Sequence, residues 1–525
     1  MSTMLSTLEC LLRKMFGPVP RRKPPQRPRF VKPRLEALEE RLVLDAYTFV
    51  GAAGGGDGTS WNDSLNWIDS TTGGAGMPGA GDDASIGAGF GVVISGTAAD
   101  VNSLTTAAGS SLTIVSGDQL TINSNAPGTS SDTLSGSVID AGLINANTTD
   151  PLNGTNIIFA GGSLIGPGDL NGNIAVGPNS SMTFLGGGDT FASGATFGMG
   201  AGSVNIAATV TVMGDLDDNT NTNLNIVAGG DLTGPGSLDD WANVNWTGGT
   251  ISLTGGVTVY TTFTSSGSSG LTLTTTLAND ETTDLGGTGG ILLGTGGEID
   301  NVAGTLTLSQ TVFITLGATG DSVTNSALGI LDIPASLDTP VTINASFTNL
   351  GTLNVGAGSE LDLTSMPADG SPTIDLDGNL GLDGNLYLEA ATTSSVGFTL
   401  LNHSGFLEVG DSLNGITASL TVPTGVSDII QGNLEITDGS LLNGGGTVYN
   451  SGRLQLDVGS STMGLGAYVQ SNYGTLAIEV DSFGDFTPLT VTGTAQLSGT
   501  LVLPGYDNPQ VGDYFTVVTA ASLSG

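Results

Sequence analysis

The segment Gly351–Leu363, GTLNVGAGSELDL, places apolar residues at alternate positions on both sides of a Gly-rich turn. Leu353 and Val355 precede the turn, and Leu361 and Leu363 follow it. Alternation with a period of two is typical of a β-strand that buries one face, and the Gly and Ser residues between the two runs favour a tight turn. The segment therefore predicts two short strands joined by a sharp corner.

The same unit recurs through most of the chain. Each strand offers only one or two inward side chains, so a single unit cannot bury a core, whereas stacked neighbours can. LIGPGDL at 164–170 and LTGPGSL at 232–238 begin 68 residues apart, which would fit three coils of about 23 residues, although other divisions stay open. Further copies lie at 111–123, 156–188, 223–238 and 304–317.

These repeats predict an all-β protein built as a parallel β-solenoid, with a right-handed β-helix as the expected form. The 84 Gly residues permit the positive φ angles that sharp corners need. Asn tolerates the same backbone region and can stack on Asn in the next coil. The alternative is a string of antiparallel β-sandwiches, which would have longer strands and more aromatic residues than the 5% present.

The formal charge of −38 is distributed very unevenly. Residues 1–41 contain ten of the eleven Lys and Arg and carry +6, whereas residues 42–525 contain only Arg453 and carry −44. So acidic a body cannot neutralise a phosphate backbone, so nucleic acid is excluded as a partner. The negative charge of the body is also repelled by anionic lipids. His403 and Cys10 are the only residues of their types, which excludes His-cluster zinc sites and disulfides in the body. The chain has no run of 18 apolar residues, so no membrane span is expected.

The leader, residues 1–46, is basic and Pro-rich, which predicts a disordered chain with a short amphipathic helix at Leu35, Leu38 and Leu42. Its segment RPRFVKPRLEALEERLVLDA resembles the R-L-x-L-E-x-L-E-x-R motif near the N-terminus of many exported planctomycete-type surface proteins. That resemblance implies a sorting or export role, and a plain basic tail is the alternative. The matching positions are Arg34, Leu35, Glu36, Leu38, Glu39, Arg41 and Leu42.

Residues 47–100 differ from the repeats because they contain Trp61 and Trp67, followed by PGAGDDASI at 78–86. This pattern resembles the opening of bacterial surface β-helix and autotransporter-like passenger regions. We expect the two tryptophans to cap the open end of the stack, where the first coil would otherwise expose its core. The alternative is that their indole rings stack on sugars.

The remaining chain divides into β-helix repeats at 101–470 and a C-terminal unit at 471–525. The C-terminal unit, with LTVTGTAQLSGTL at 489–501 and GDYFTVV at 512–518, resembles the ending of autotransporter-like β-helix proteins. In that pattern the chain usually continues into a final strand or anchor. We therefore expect either a truncated unit or part of a longer adhesin.

Candidate chemistry is sparse in the body. A lyase acting on acidic polysaccharides commonly needs Lys or Arg, which the body nearly lacks. A glycosidase on neutral glycans needs only paired carboxylates. Acids in Gly turns suit Ca²⁺, but no complete EF-hand loop occurs, and Asp-Gly is also a common turn. No cofactor is required, and Ca²⁺ is the candidate ion, with possible ligands at Asp215, Asp217, Asp218, Asp375, Asp377 and Asp383.

The sequence thus favours a non-enzymatic, extracellular or cell-surface protein of structural or adhesin-like character. Its expected partners are components of the cell envelope or extracellular matrix, including glycans. The alternative is a secreted β-helix glycosidase that acts on neutral glycans.

Overall fold

The structure is a computed structural model that describes residues 45–525 with short gaps. The described residues belong to one compact unit. The predicted leader helix and the sorting motif lie outside them. The gaps are residues 97, 124–131, 147–156, 160–163, 166–167, 177–178, 194–195, 198–201, 218–222, 240–242, 310–312, 319, 365–372, 412–413, 482, 506–511 and 513.

The short strands stack in parallel from one coil to the next. Leu353 pairs in register with Leu331 of the preceding coil and with Leu380 of the following coil. All three leucines are fully buried, because alternation sends every second side chain inward. The predicted parallel β-solenoid is therefore confirmed, while its right-handed sense stays a prediction.

Each coil contributes strands to three faces. Two sheets run along nearly the whole described chain; we number them sheets 2 and 3. Sheet 2 contains Gly91–Ile94, Ser111–Ile114, Ser137–Asp140, Leu164–Ile165, Ser181–Phe184, Ser203–Ile206, Asn223–Ile226, Asn243–Trp246, Thr262–Ser265, Thr282–Leu285, Thr305–Leu308, Ile330–Ile333, Thr352–Val355, Gly378–Leu382, Phe398–Leu400, Ser427–Ile430, Thr447–Asn450, Leu465–Gln470, Leu489–Gln496 and Val518–Ser524. Sheet 3 contains Ala99–Val101, Gln119–Ile122, Leu143–Ala146, Asp169–Asn171, Asp189–Phe191, Thr209–Val212, Asp231–Gly234, Gly249–Leu253, Leu271–Leu273, Ile291–Leu293, Phe313–Leu316, Val341–Asn344, Glu360–Thr364, Asn385–Glu389, Phe406–Val409, Asn433–Ile436, Arg453–Leu456, Thr475–Ile478 and Thr500–Val502.

The third face is formed by two sheets in succession, sheet 1 in the N-terminal coils and sheet 4 in the later ones. Sheet 1 contains Ala46–Phe49, Trp67–Asp69, Asp83–Ile86, Ser103–Thr106, Asp132–Leu134, Ile157–Phe159, Asn173–Val176 and Thr196–Phe197. Sheet 4 contains Leu216–Asp217, Leu238–Asp239, Val257–Val259, Thr276–Asn279, Glu298–Asn301, Ser322–Asn325, Ser346–Asn349, Ile374–Leu376, Ala391–Thr393, Ser419–Thr421, Leu441–Asn443 and Ser461–Met463.

Sharp corners between the faces bring backbones close together. At Gly249, φ is +80°, and an added Cβ would lie only 1.7 Å from the carbonyl oxygen of Gly230 in the preceding coil. Only glycine fits such a position, because any side chain would both strain the backbone and collide with a backbone atom.

Asparagine side chains link successive coils in two ladders. The inner ladder, Asn279, Asn301, Asn325 and Asn349, follows the ends of sheet 4 strands, and its members are at most 1% exposed. Each of its three side-chain hydrogen bonds spans 2.7 Å between Nδ2 and Oδ1. The outer ladder joins Asn205, Asn225 and Asn245 on the outward side of sheet 2, at 2.8 and 3.0 Å. These ladders match the expected stacking of Asn on Asn.

The N-terminal end of the stack has its own local structure. Trp67–Asp69 pairs antiparallel with Ala46–Phe49, whereas the neighbouring strand pairs of sheet 1 are parallel. Two 3₁₀ helices, Gly51–Gly54 and Ser64–Asn66, lie beside it. They are the only helices in the described part of the chain, where no helix is long and apolar enough to cross a membrane.

Candidate functional site

The structure places both predicted cap tryptophans inside the N-terminal end of the core. Trp61 is 1% exposed and Trp67 is 0% exposed. Their rings meet edge to face with centroids 4.8 Å apart, and Trp67 Nε1 donates a hydrogen bond to the Trp61 carbonyl at 2.8 Å. Phe49 packs edge-on against Trp67 at 5.0 Å. Because both indoles are buried, neither offers an open face on which a sugar ring could stack.

A polar turn holds the tryptophan segment in place. Asp57 accepts hydrogen bonds from the backbone N–H groups of Thr59 and Ser60, and from Asn66 Nδ2 at 2.7 Å. The hydrogen bonds from Ser60 and Asn66 hold the pKa of the Asp57 carboxyl far below its usual range. Asn66 is itself fully buried, and its Oδ1 accepts a hydrogen bond from the Gly58 N–H. The first unit therefore has the features of a fixed structural element.

Two calcium candidates, Asp375 and Asp377, lie together at a corner of sheet 4. Asp375 accepts the N–H of Ser395, and Asp377 accepts the N–H groups of Val396 and Gly397 at 2.9 and 2.7 Å. The Ser395 hydroxyl also donates to both carboxylates. These oxygens are thus engaged by protein donors that shape the 395–397 turn, and calcium binding there stays a prediction.

Two of the other four calcium candidates, Asp383 and Asp215, do not join that corner. Asp383 lies 3.1 Å from His403 Nδ1, an exposed contact whose hydrogen bond lowers the pKa of the Asp383 carboxyl. Asp215 is exposed and accepts a hydrogen bond from Ser237 Oγ at 3.0 Å. The Asp217 side chain and the whole of Asp218 lie outside the described residues. Within the described part, no three His, Cys, Asp or Glu residues are grouped to hold a metal ion.

The structure reveals a site that sequence reasoning missed: a row of polar side chains on the outward side of sheet 3. One register runs through five successive strands, from Asp362 to Tyr387, Glu408, Glu435 and Gln455. We call these five residues the acidic strip. Neighbouring parallel strands lie about 4.8 Å apart, so Glu408 and Glu435 have their Cα atoms about one strand spacing apart.

The acidic strip is partly withdrawn from solvent, and its charges repel one another. Burial and the nearby Glu389 and Glu360 carboxylates raise the pKa of Asp362 to about 7. Burial raises the pKa of Glu435 too, with the neighbouring Asp457 and Glu408 carboxylates adding to the effect. Such carboxyl groups can carry a proton near neutral pH, as a general acid requires.

An arginine and a pair of aromatic rings lie beside the carboxylates of the acidic strip. Arg453 donates to Gln455 Oε1 at 2.6 Å, and Gln455 Nε2 donates to Glu435 Oε1 at 2.6 Å. Tyr387 and Phe406 meet edge to face with centroids 6.1 Å apart. Burial and the acidic neighbours, led by Glu360, raise the pKa of the Tyr387 hydroxyl to about 12. Paired carboxylates beside aromatic rings are the groups that a neutral sugar would meet in a binding site.

A sequence signal for this site exists but is weak. The segments ELDLT, NLYLE, NLEI and RLQL each carry polar or charged residues between inward leucines or isoleucine. Their alignment depends on coil length, which irregular insertions between the strands obscure.

The chain matches no protein-family model, and no curated protein matches its sequence.

Proposed function

We propose that this protein is a non-enzymatic, exported structural or adhesin-like component of the cell surface. The observation that supports this most strongly is the uninterrupted parallel solenoid, in which sheet 2 alone contains 20 described strands. A solenoid in which each coil contacts its neighbours makes a long element with an extended surface, as spacers and adhesive proteins require.

The charge distribution supports the same function. The body carries −44 with one Arg, which keeps neighbouring rods apart and disfavours nucleic acid and anionic lipid as partners. The basic leader, with Arg34, Leu35, Glu36, Leu38, Glu39, Arg41 and Leu42 in its motif, would direct export. Envelope or matrix components, including glycans, are the proposed partners.

Surface exposure is the property to test. Intact source cells would be treated with a protease, and the body would be followed with an antibody alongside a cytoplasmic marker. We expect the body to be cleaved while the marker stays intact, and a chain lacking residues 1–41 to be retained inside. Protection of the full-length body in intact cells would contradict the proposal.

The second candidate function is glycoside hydrolysis of neutral glycans at the acidic strip. It rests on the adjacent Glu408 and Glu435 carboxylates, the raised pKa of Glu435, and the neighbouring Tyr387 and Phe406 rings. Carboxyl groups about 5 Å apart suit a retaining mechanism, and wider pairs along the strip suit an inverting one.

A hydrolysis assay on a panel of neutral glycans separates the two candidates. Turnover by the wild type that falls at least 100-fold in Glu435→Gln, but not in Glu298→Gln on sheet 4, would establish the enzyme and overturn the non-enzymatic proposal. The absence of turnover on every glycan in the panel supports the structural function.

A further inference from the structure

Two buried carboxylates, Asp140 and Asp189, lie at one corner of the solenoid and have no assigned role. Asp140 ends a strand of sheet 2, Asp189 begins a strand of sheet 3, and they are 0% and 1% exposed. Asp140 Oδ1 accepts the Gly142 N–H at 2.9 Å. Asp140 Oδ2 and both oxygens of Asp189 accept no hydrogen bond from the described residues.

Gly168 brings the two carboxylates to one place. It lies in the coil between them, and an added Cβ there would be 2.4 Å from Asp140 Oδ2, so the carboxylate occupies the space of the missing side chain. Asp169 pairs with Thr190 in the next coil, which sets Asp189 directly beyond Gly168. The Asp140 side chain therefore extends past Gly168 towards the coil that contains Asp189.

No basic side chain of the body can neutralise this pair. Arg453 lies twelve strands farther along sheet 3, about 58 Å away at the usual strand spacing. Burial raises the pKa of Asp189 to about 7, and the charge of Asp140 adds to the effect. Two uncompensated carboxylates in this corner would be strongly destabilising.

A shared proton neutralises only part of the problem. One proton can join two of the three unpartnered oxygens, one as donor and one as acceptor, and it leaves the third without a partner. A cation can coordinate all three at once. Ca²⁺ carries the +2 that balances two carboxylates, takes hard oxygen ligands in flexible geometry, and accepts both mono- and bidentate carboxylates.

We propose that Asp140 and Asp189 form an internal Ca²⁺ site that stabilises the N-terminal third of the solenoid. Asp140 provides Oδ2 and Asp189 provides both carboxylate oxygens, while backbone or water oxygens complete the shell. The ion would be taken up as the coils close, because neither carboxylate is open to solvent in the folded chain.

The test uses the full chain, unfolded in urea with EDTA and then refolded in the buffer of the measurement, because a buried ion would not leave the folded chain. Thermal unfolding at pH 7.5 would be measured with added CaCl₂, and with NaCl of equal ionic strength. We expect Ca²⁺ to raise the Tm of the wild type by about 3 °C more than NaCl does. The gain should be lost in Asp189→Asn and in Asp140→Asn, but kept in Asp169→Asn, which removes an exposed acid from the same corner.

Measuring the amount of bound calcium directly tests the proposal without relying on a change in Tm. The wild type and Asp169→Asn should retain one more Ca²⁺ per chain than Asp189→Asn after dialysis against trace CaCl₂. An equal Tm gain in all variants would overturn the proposal, since it would show general screening of the acidic body. A wild type that binds no Ca²⁺ and gains stability only on acidification would also overturn it, and would assign the pair to a shared proton.

Discussion

Asn301 Nδ2 donates a hydrogen bond to Asn325 Oδ1 across 2.7 Å, and both side chains are buried where two successive coils leave sheet 4. Asn301 also donates to the Ile330 carbonyl at 3.0 Å and accepts from Asn279. The amide thus connects three coils, and each contact replaces a bond to water that burial has removed.

Asn301→Ala should therefore be costly. The change leaves the buried amide of Asn279 and the buried oxygen of Asn325 short of partners, so we expect a loss of about 2–4 kcal/mol in unfolding free energy. Chemical denaturation monitored by circular dichroism would measure it. Asn245→Ala in the outer ladder is the matched control and should cost less than about 1 kcal/mol, because water can replace its partners. Equal losses of unfolding free energy in Asn301→Ala and Asn245→Ala would mean that burial of the inner ladder adds nothing to stability.

Gly249→Ala should disrupt a corner. The added Cβ would meet the Gly230 carbonyl oxygen at 1.7 Å, so two backbones must separate, and we expect destabilisation of at least about 3 kcal/mol. Gly89→Ala is the control: its φ is +83° but no atom lies within 4 Å of the new Cβ, so only the backbone strain of about 1 kcal/mol remains. Thermal melts of the two variants should differ clearly, and similar melts would show that the corner can relax.

The solenoid should be more stable at mildly acidic than at alkaline pH. Burial raises the pKa of Asp428 from 3.8 to about 7, although Ser394 Oγ donates to it at 2.9 Å. The folded chain therefore binds more protons than the unfolded chain between about pH 4 and pH 7. Its unfolding free energy falls across that range as pH rises, by at most about 1.4 kcal/mol per pH unit for this group.

Melting temperatures at pH 5.5 and pH 8 would measure this dependence. Asp428→Asn should narrow the difference, since the amide carries no charge at either pH, whereas Glu281→Gln at an exposed position should leave it unchanged. If Asp428→Asn showed the same difference in Tm between pH 5.5 and pH 8 as the wild type, the pH dependence would come from other acidic residues.

Trp67→Ala should loosen the N-terminal coils before the rest. Loss of a buried indole costs about 3–5 kcal/mol, and here it also removes the hydrogen bond to the Trp61 carbonyl. Because each coil contacts only its neighbours, we expect faster hydrogen exchange in the first coils and little change near sheet 4. Tyr473→Ala, at a ring that is 82% exposed, should leave exchange at the N-terminal end unchanged. Uniform acceleration along the chain would show that the coils unfold together.

The solenoid could be predicted because its local rules repeat. Leu353 and Val355 before a Gly turn, and Leu361 and Leu363 after it, do form buried pairs on two successive strands. The equivalence of Leu164 and Leu232 is wrong, however: Leu164 lies on sheet 2 and Leu232 on sheet 3. The two similar segments therefore begin on different faces, and local sequence alone does not show to which face a strand belongs.

The candidate sites were harder to predict. Turn chemistry accounts equally well for Asp140 and for Asp375, yet Asp140 is buried with one oxygen unpartnered and Asp375 is hydrogen-bonded by a turn. The acidic strip depends on Glu408 and Glu435 falling in register, which a change of one residue in coil length would abolish. Burial and register are properties of the stack, and no single coil encodes them.

The antiparallel strand Trp67–Asp69 protects the N-terminal edge of sheet 1. Its outer edge is folded back on itself, with the Asp69 N–H bonded to the Gly74 carbonyl and Ile68 bridged to Ala75. A parallel stack of short strands otherwise resembles the architecture of amyloid, in which a free edge recruits further chains. Because residues 74–76 cover this edge, sheet 1 uses the cross-strand bonding of a fibril while its N-terminal edge is already occupied by the chain itself.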